Sequence, residues 1–197
     1  MLYLKKYYNS KIILCIIGLF FSGNLICAEP ANKFGLRVPL LSKAKQESII
    51  IGGGTFDLFH DGHKTYIDAI FKIPGKLVLI YVTGDTLANN RKDHKIQKLK
   101  KRIKQIKTYI KEKGFTAPYK IRKTLDIEKF KKEFAQDNLL IEHDLIVVTS
   151  SEYANIHGIL NNIRTKNSLS PITFVLIDRK KDKNNQDINS SAMRKAI

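Results

Sequence analysis

The sequence predicts an α/β fold, a doubly wound five-stranded parallel sheet, and three features of the chain predict it. From Glu47 onward, short apolar β-branched runs alternate with helix-period segments, the pattern of parallel strands covered by crossover helices. A chain of 197 residues with 43% hydrophobic content has the core of one ordinary domain rather than two. A glycine-rich turn closes the first apolar run, the kind of place where open α/β sheets receive ligands.

The elements follow in order. Lys5, Lys6 and Lys11 precede an apolar run from Ile12 to Phe21, followed by Ser22, Gly23 and a cleavage-like end at Ala28. That is the order of a secretory signal, so residues 1–28 read as a signal peptide. The run up to Ala28 also reaches the short end of what spans a bilayer, so an uncleaved anchor stays open, as does an unused start. Lys33, Arg37, Lys43 and Lys45 follow it and leave orientation undecided. Residues 29–46, with Pro30 and Pro39, read as a linker, and 47–197 as the folded domain.

Within that domain an unbroken apolar strand is expected over 48–51, ended by Gly52, Gly53 and Gly54. A helix over 61–73 stops at Pro74 and Gly75. The second strand spans 77–82. Ile96, Leu99, Ile103, Ile106 and Ile110 recur at helical spacing, giving an amphipathic helix over 95–113 capped by Gly114. A weak strand over 119–121 precedes a short helix capped by Asp126, with Ile127, Phe130 and Phe134 inward. Strands over 145–148 and 172–177 flank a helix whose stripe is Tyr153, Ile156, Leu160 and Ile163. A polar loop and a short helix from Ser190 close the chain.

The formal charge of +17 invites a polyanion, but the excess is mostly lysine spread over several helices. It reads as solvated faces rather than a nucleic-acid surface, while still favouring a small, multiply phosphorylated ligand. Both cysteines, Cys15 and Cys27, lie in the leading apolar segment, so the domain holds no thiol for a disulfide, a metal or nucleophilic catalysis.

The informative stretch runs from Gly53 through Gly54, Thr55, Phe56, Asp57, Leu58, Phe59, His60, Asp61, Gly62 and His63 to Lys64, where the first strand turns into the first helix. A glycine turn lets backbone amides approach a phosphate, and the helix N-terminus adds partial positive charge. His60 and His63 flank Gly62, so both rings can enter one crevice and stabilise charge developing at an α-phosphorus. Zinc ligation or a structural role are the rival uses of the pair. Zinc lacks a cysteine or a third ligand at metal spacing, and no metal site is assigned.

This stretch resembles the signature of the nucleotidylyltransferase superfamily, with its threonine and phenylalanine before a histidine-x-glycine-histidine turn. His60-Asp61-Gly62-His63-Lys64 is most similar to the archaeal and eukaryotic type of phosphopantetheine adenylyltransferase. Val82-Thr83-Gly84-Asp85 resembles the family's second-strand end and Ser150-Ser151-Glu152 its fourth. Asn161-Asn162-Ile163-Arg164 with Asn167-Ser168-Leu169-Ser170-Pro171 resembles its approach to the last strand. The closing Ile188-Asn189-Ser190-Ser191-Ala192-Met193-Arg194 resembles its isoleucine-serine-serine-threonine turn, with Asn189 in place of the first serine and Ser191 in place of the threonine.

The resemblance implies a Rossmann-like nucleotidyltransferase domain over 47–197 that transfers AMP from ATP to 4′-phosphopantetheine and releases pyrophosphate. It implies Mg²⁺ bound with the ATP. The catalytic residues would be His60, His63 and Lys64. Gly53, Gly54, Thr55, Phe56, His63, Ser190, Ser191 and Arg194 would hold the nucleotide, and Thr55, Asp57, Lys64 and Arg102 the acceptor. Lys64 and Arg102 also fit as solvated cations, and the closing serines as a plain helix cap.

Two other readings stay open. One is a cytidylyltransferase acting on an alcohol or polyol phosphate, although 184–189 lacks the arginine-threonine pair usual there. The other is an exported, non-catalytic nucleotide-binding protein. The leader suggests export or membrane anchoring whereas ATP chemistry suggests cytoplasm, and a homo-oligomer is compatible with the sequence.

Overall fold

The computed structural model describes residues 36–37, 46–90, 94–150 and 154–195. The leader at 1–28 lies outside them. Among the described residues no helix is long and apolar enough to cross a membrane.

Strands β2 (Ile49–Gly54), β3 (Leu77–Thr83), β4 (Tyr119–Thr124), β5 (Leu145–Thr149) and β6 (Thr173–Ile177) form the parallel sheet the sequence predicts. A two-residue strand, β1 (Leu36–Arg37), adds a sixth, antiparallel member, with Leu36 opposite Ile177 and Arg37 opposite Leu176. The order is β1-β6-β5-β2-β3-β4. The expected linker therefore contains a strand, and the sheet has six members rather than five. Edge pairing explains the miss, because two residues covering the exposed hydrogen-bonding side of β6 need no hydrophobic period of their own.

Helices α1 (Asp61–Lys72) and α3 (Leu99–Glu112) cover one face. Their Ile67, Ile70, Ile106 and Ile110 pack on Ile50, Val78, Ile80, Val82 and Val148. Helices α4 (Ile127–Gln136), α5 (Asn138–Ile141) and α6 (Ala154–Lys166) cover the other, with Phe134, Leu140 and Leu160 against Ile49, Ile51, Leu79 and Val147. Alternate residues of β2, β3 and β5 thus feed opposite cores, as the two-residue period of a doubly covered sheet requires. Two short helices, α2 (Asp85–Asn89) and α7 (Ser190–Lys195), lie at the carboxyl ends of the strands.

Several boundaries differ from the sequence reading. Strand β2 continues through Gly52, Gly53 and Gly54, which stay paired to Ile80, Tyr81 and Val82 of β3. Glycine lacks a side chain to signal a strand, yet keeps the backbone groups that make one. Helix α3 starts at Leu99, four residues late, because Lys98 is extended (φ −54°, ψ 140°) and the Gln97 amide is bonded to Asp57 instead. The Asp126 cap is as expected, its carboxylate accepting from the Lys129 amide at 2.8 Å. The helix it opens breaks at extended Asp137, and α5 follows.

Candidate active site

After β2 the chain turns sharply through two bulky residues in the left-handed region, Phe56 (φ 54°) and Leu58 (φ 53°). Non-glycine residues rarely hold that conformation, so their surroundings must enforce it. Phe56 is buried against the His63 ring at 5.2 Å and the Tyr66 ring at 6.2 Å, and the Leu58 amide donates to Gln97 Oε1 at 3.3 Å. The turn aims Asp57 inward and delivers His60 to the start of α1, where the His63 and Lys64 amides bond to the His60 carbonyl.

The two imidazoles stack, centroids 3.8 Å apart and 22° from parallel. Each has a buried Nδ1 with no hydrogen-bond partner among the described residues. Burial pushes both below the ordinary imidazole range. Asp61 and Asp57 partly offset this at His60, while His63 falls to about 3, with the neighbouring His60 adding to the depression and Asp57 opposing it. At neutral pH both rings are therefore uncharged donors and acceptors, and each keeps a ring nitrogen open to a hydrogen-bonding ligand.

These rings form one wall of a cleft of about 400 Å³ at the carboxyl ends of the central strands. Gly53, Gly54 and Thr55 make its floor, Thr149 and Ser150 end β5 beside it, and Arg179, Lys180, Ile188, Asn189 and Ser190 form the far rim. Ser150 Oγ is also buried without a partner. The crevice lies where β2 parts from β5 and the chain reverses its direction of winding, the expected ligand position in such a sheet.

The structure gathers His60, His63, Gly53, Gly54, Thr55 and Ser190 around this space, together with Asp57. It places the predicted cations elsewhere. Lys64 pairs with Asp61 at 2.9 Å on the surface. Arg102 is fully buried, donating to the carbonyls of Gln97, Thr55 and Thr83 at 2.6–2.8 Å and to Asp85 Oδ1 at 2.7 Å. It fixes the floor from beneath instead of meeting an acceptor, because a buried guanidinium takes every acceptor within reach. Arg194 binds Asp57 through Nη2 at 2.9 Å, and Ser190 Oγ donates to the Asp57 carbonyl at 2.7 Å. Asp57 is thus the anchor of the last helix. Phe56 stands behind His63 rather than in the cleft, and Ser191 and Arg194 do not line it.

Sequence reasoning missed Tyr66, Arg179 and Lys180. Tyr66 read as one more helical residue, and the two cations sat in a loop whose path no periodicity foretells. The latter two give the cleft the positive rim that the predicted cations do not.

Several known proteins are similar to this chain. The chain is 27% identical to a phosphopantetheine adenylyltransferase of Methanopyrus kandleri over 145 residues, covering 74% of this chain and 87% of the relative. It is 29% identical to one of Thermococcus kodakarensis, covering 75% and 85%. Among solved structures, a protein of unknown function from Archaeoglobus fulgidus superposes with a TM-score of 0.53 at 25% identity, over 71% of this chain and 98% of that one. The model of the cytidylyltransferase-like family matches residues 51–196, and on that match the chain belongs to this family of nucleotidyltransferases.

Proposed function

We propose that the chain transfers AMP from ATP to 4′-phosphopantetheine, forming dephospho-coenzyme A and pyrophosphate. One observation carries the reading: two stacked, uncharged imidazoles with unpartnered nitrogens, at a helix N-terminus, face a glycine-floored cleft. The shared name of the archaeal relatives supports adenosine as the base and the pantetheine phosphate as the acceptor.

An acceptor phosphate oxygen attacks the α-phosphorus in line as the bond from that phosphorus to the bridging oxygen breaks, and pyrophosphate leaves with the electron pair. His60 and His63 donate to the non-bridging oxygens as charge builds there, and the Gly54 and Thr55 backbone, which lines the same cleft, cradles them. Ser190, Lys180 and Arg179 face the leaving pyrophosphate, and Arg194 reaches it only by releasing Asp57.

Mg²⁺ fits as a companion of the nucleotide. Among the described residues no three His, Cys, Asp or Glu side chains converge to hold a metal, so phosphate oxygens and water would be its main ligands. Asp178 on the cleft wall has the right chemistry to share it. When bound, the ion neutralises triphosphate charge.

The test is product identification by mass after incubating the purified chain with 4′-phosphopantetheine and each triphosphate in turn. The expected product is dephospho-coenzyme A from ATP. A cytidylyl product from an alcohol or polyol phosphate instead, or nucleotide binding with no product from any triphosphate, would overturn the reading.

A further inference from the structure

The sheet splits at its centre. Strand β2 is paired to β5 as far as Ile51 opposite Val147, while Gly52 to Gly54 remain paired to β3 alone and Val148 and Thr149 to β6 alone. Two backbone groups at the fork lose the ladder partners they would have had, the Gly53 amide and the Val148 carbonyl. Both are met by one side chain. The Gly53 amide donates to the Tyr66 hydroxyl at 3.0 Å, and that hydroxyl donates to the Val148 carbonyl at 2.7 Å. Tyr66 comes from the second turn of α1, three residues after His63, and itself lines the cleft.

We infer that Tyr66 is a positioning residue for the nucleotide: its hydroxyl wedges β2 and β5 apart at the fork and so sets the width of the floor on which the triphosphate lies. The inference rests on the nucleotidyl-transfer reading of this cleft. Without the wedge, the carbonyl of buried Val148 is left bare, which is unfavourable, or it and the Gly53 amide are free to close on each other. Closing them would bring β2 and β5 together where the ligand must enter. The packing leaves little slack for a substitute. A methyl group on neighbouring Gly52 would already stand 3.1 Å from the Tyr66 hydroxyl and 2.2 Å from Ile70 Cδ1. The ring is seated independently of the hydroxyl, since it packs on Phe56, which in turn touches His63. Deleting only the oxygen therefore separates the wedge from the packing.

The experiment compares the full wild-type chain with Tyr66→Phe, measuring equilibrium binding of ATP and of CTP, the KM for 4′-phosphopantetheine, kcat, melting temperature and amide exchange at Gly53. The expected result is about tenfold weaker binding of whichever triphosphate the wild type prefers. The acceptor KM should stay within about twofold, and the Gly53 amide should exchange faster. Nucleotide affinity within twofold of wild type would overturn the inference. So would equal weakening toward both substrates with a lower melting temperature, the mark of a merely structural role. Failure of the reaction itself shows separately, as absence of dephospho-coenzyme A from the wild-type chain, while Tyr66 is read from the affinity ratio of variant to wild type.

Discussion

The Arg194 guanidinium closes on the Asp57 carboxylate, Nη2 lying 2.9 Å from Oδ2 and 3.2 Å from Oδ1, and so ties the last helix to the turn after the first strand. Asp57 is almost wholly buried and also accepts from the Gln97 amide at 2.9 Å, so one carboxylate joins three distant parts of the chain at the cleft. Replacing it with Asn leaves Arg194 facing a neutral amide. The expected cost is about 3 kcal/mol of unfolding free energy, measured by denaturant titration.

The same carboxylate makes the fold acid-sensitive. Burial raises its pKa, but the Gln97 amide, Arg194 and His94 outweigh burial and hold it below the ordinary 3.8. A depressed carboxyl contributes stability that is full above 3.8 and is lost as the pH falls through the lower folded value. Asp57→Asn should therefore flatten the stability curve below about pH 4, where the wild type declines.

His63 acts over a different window. Its folded pKa of about 3 lies below the ordinary 6.5, so between those values the unfolded chain binds the extra proton. Stability should rise with pH through that interval, by up to about 1.4 kcal/mol per pH unit, and level off above it. His63→Gln should reduce this slope to what the likewise depressed His60 contributes, as read from unfolding free energies at a series of pH values.

Arg102 was read from the sequence as an acceptor ligand, and its burial gives a different forecast. Arg102→Lys cannot reproduce a fork that serves three carbonyls and Asp85 together. The expected loss is about 3 kcal/mol of stability, with the KM for the acceptor changed less than kcat. Thermal melts and steady-state kinetics on the variant check both.

Gly62 leaves room for the histidine pair. A methyl group there would come within 3.1 Å of the His60 ring and 3.2 Å of the Ile188 carbonyl, so His60 must shift by a few tenths of an ångström. Gly62→Ala should keep its melting temperature, since alanine favours the helix, while losing roughly tenfold in kcat.

The histidine pair was legible in the sequence because its chemistry is local: a glycine between two imidazoles at a strand-to-helix junction leaves few geometric choices. Four of the parallel strands, β2, β3, β5 and β6, were legible for a similar reason, each containing a short apolar run with β-branched side chains, whereas β4 alternates Lys and Arg with its apolar residues and signalled only weakly. What escaped depends on partners far along the chain. Arg102 and Arg194 look like any surface cations until the fold brings Thr55 and Asp85 beneath one and Asp57 beside the other. Tyr66 carries no periodic signal of its role, because that role is created by the fork between β2 and β5. The strand at Leu36–Arg37 gains its order from the edge it covers, and no property of those two residues announces it.

The central claim, that His60 and His63 act on a bound triphosphate, is tested most directly by single-turnover measurements. ATP should be saturating and the acceptor in excess, with wild type, His60→Ala and His63→Ala compared. Each variant should form product about a hundredfold more slowly, equivalent to about 3 kcal/mol, while ATP affinity changes only a few-fold. Wild-type turnover in either variant would contradict the assignment.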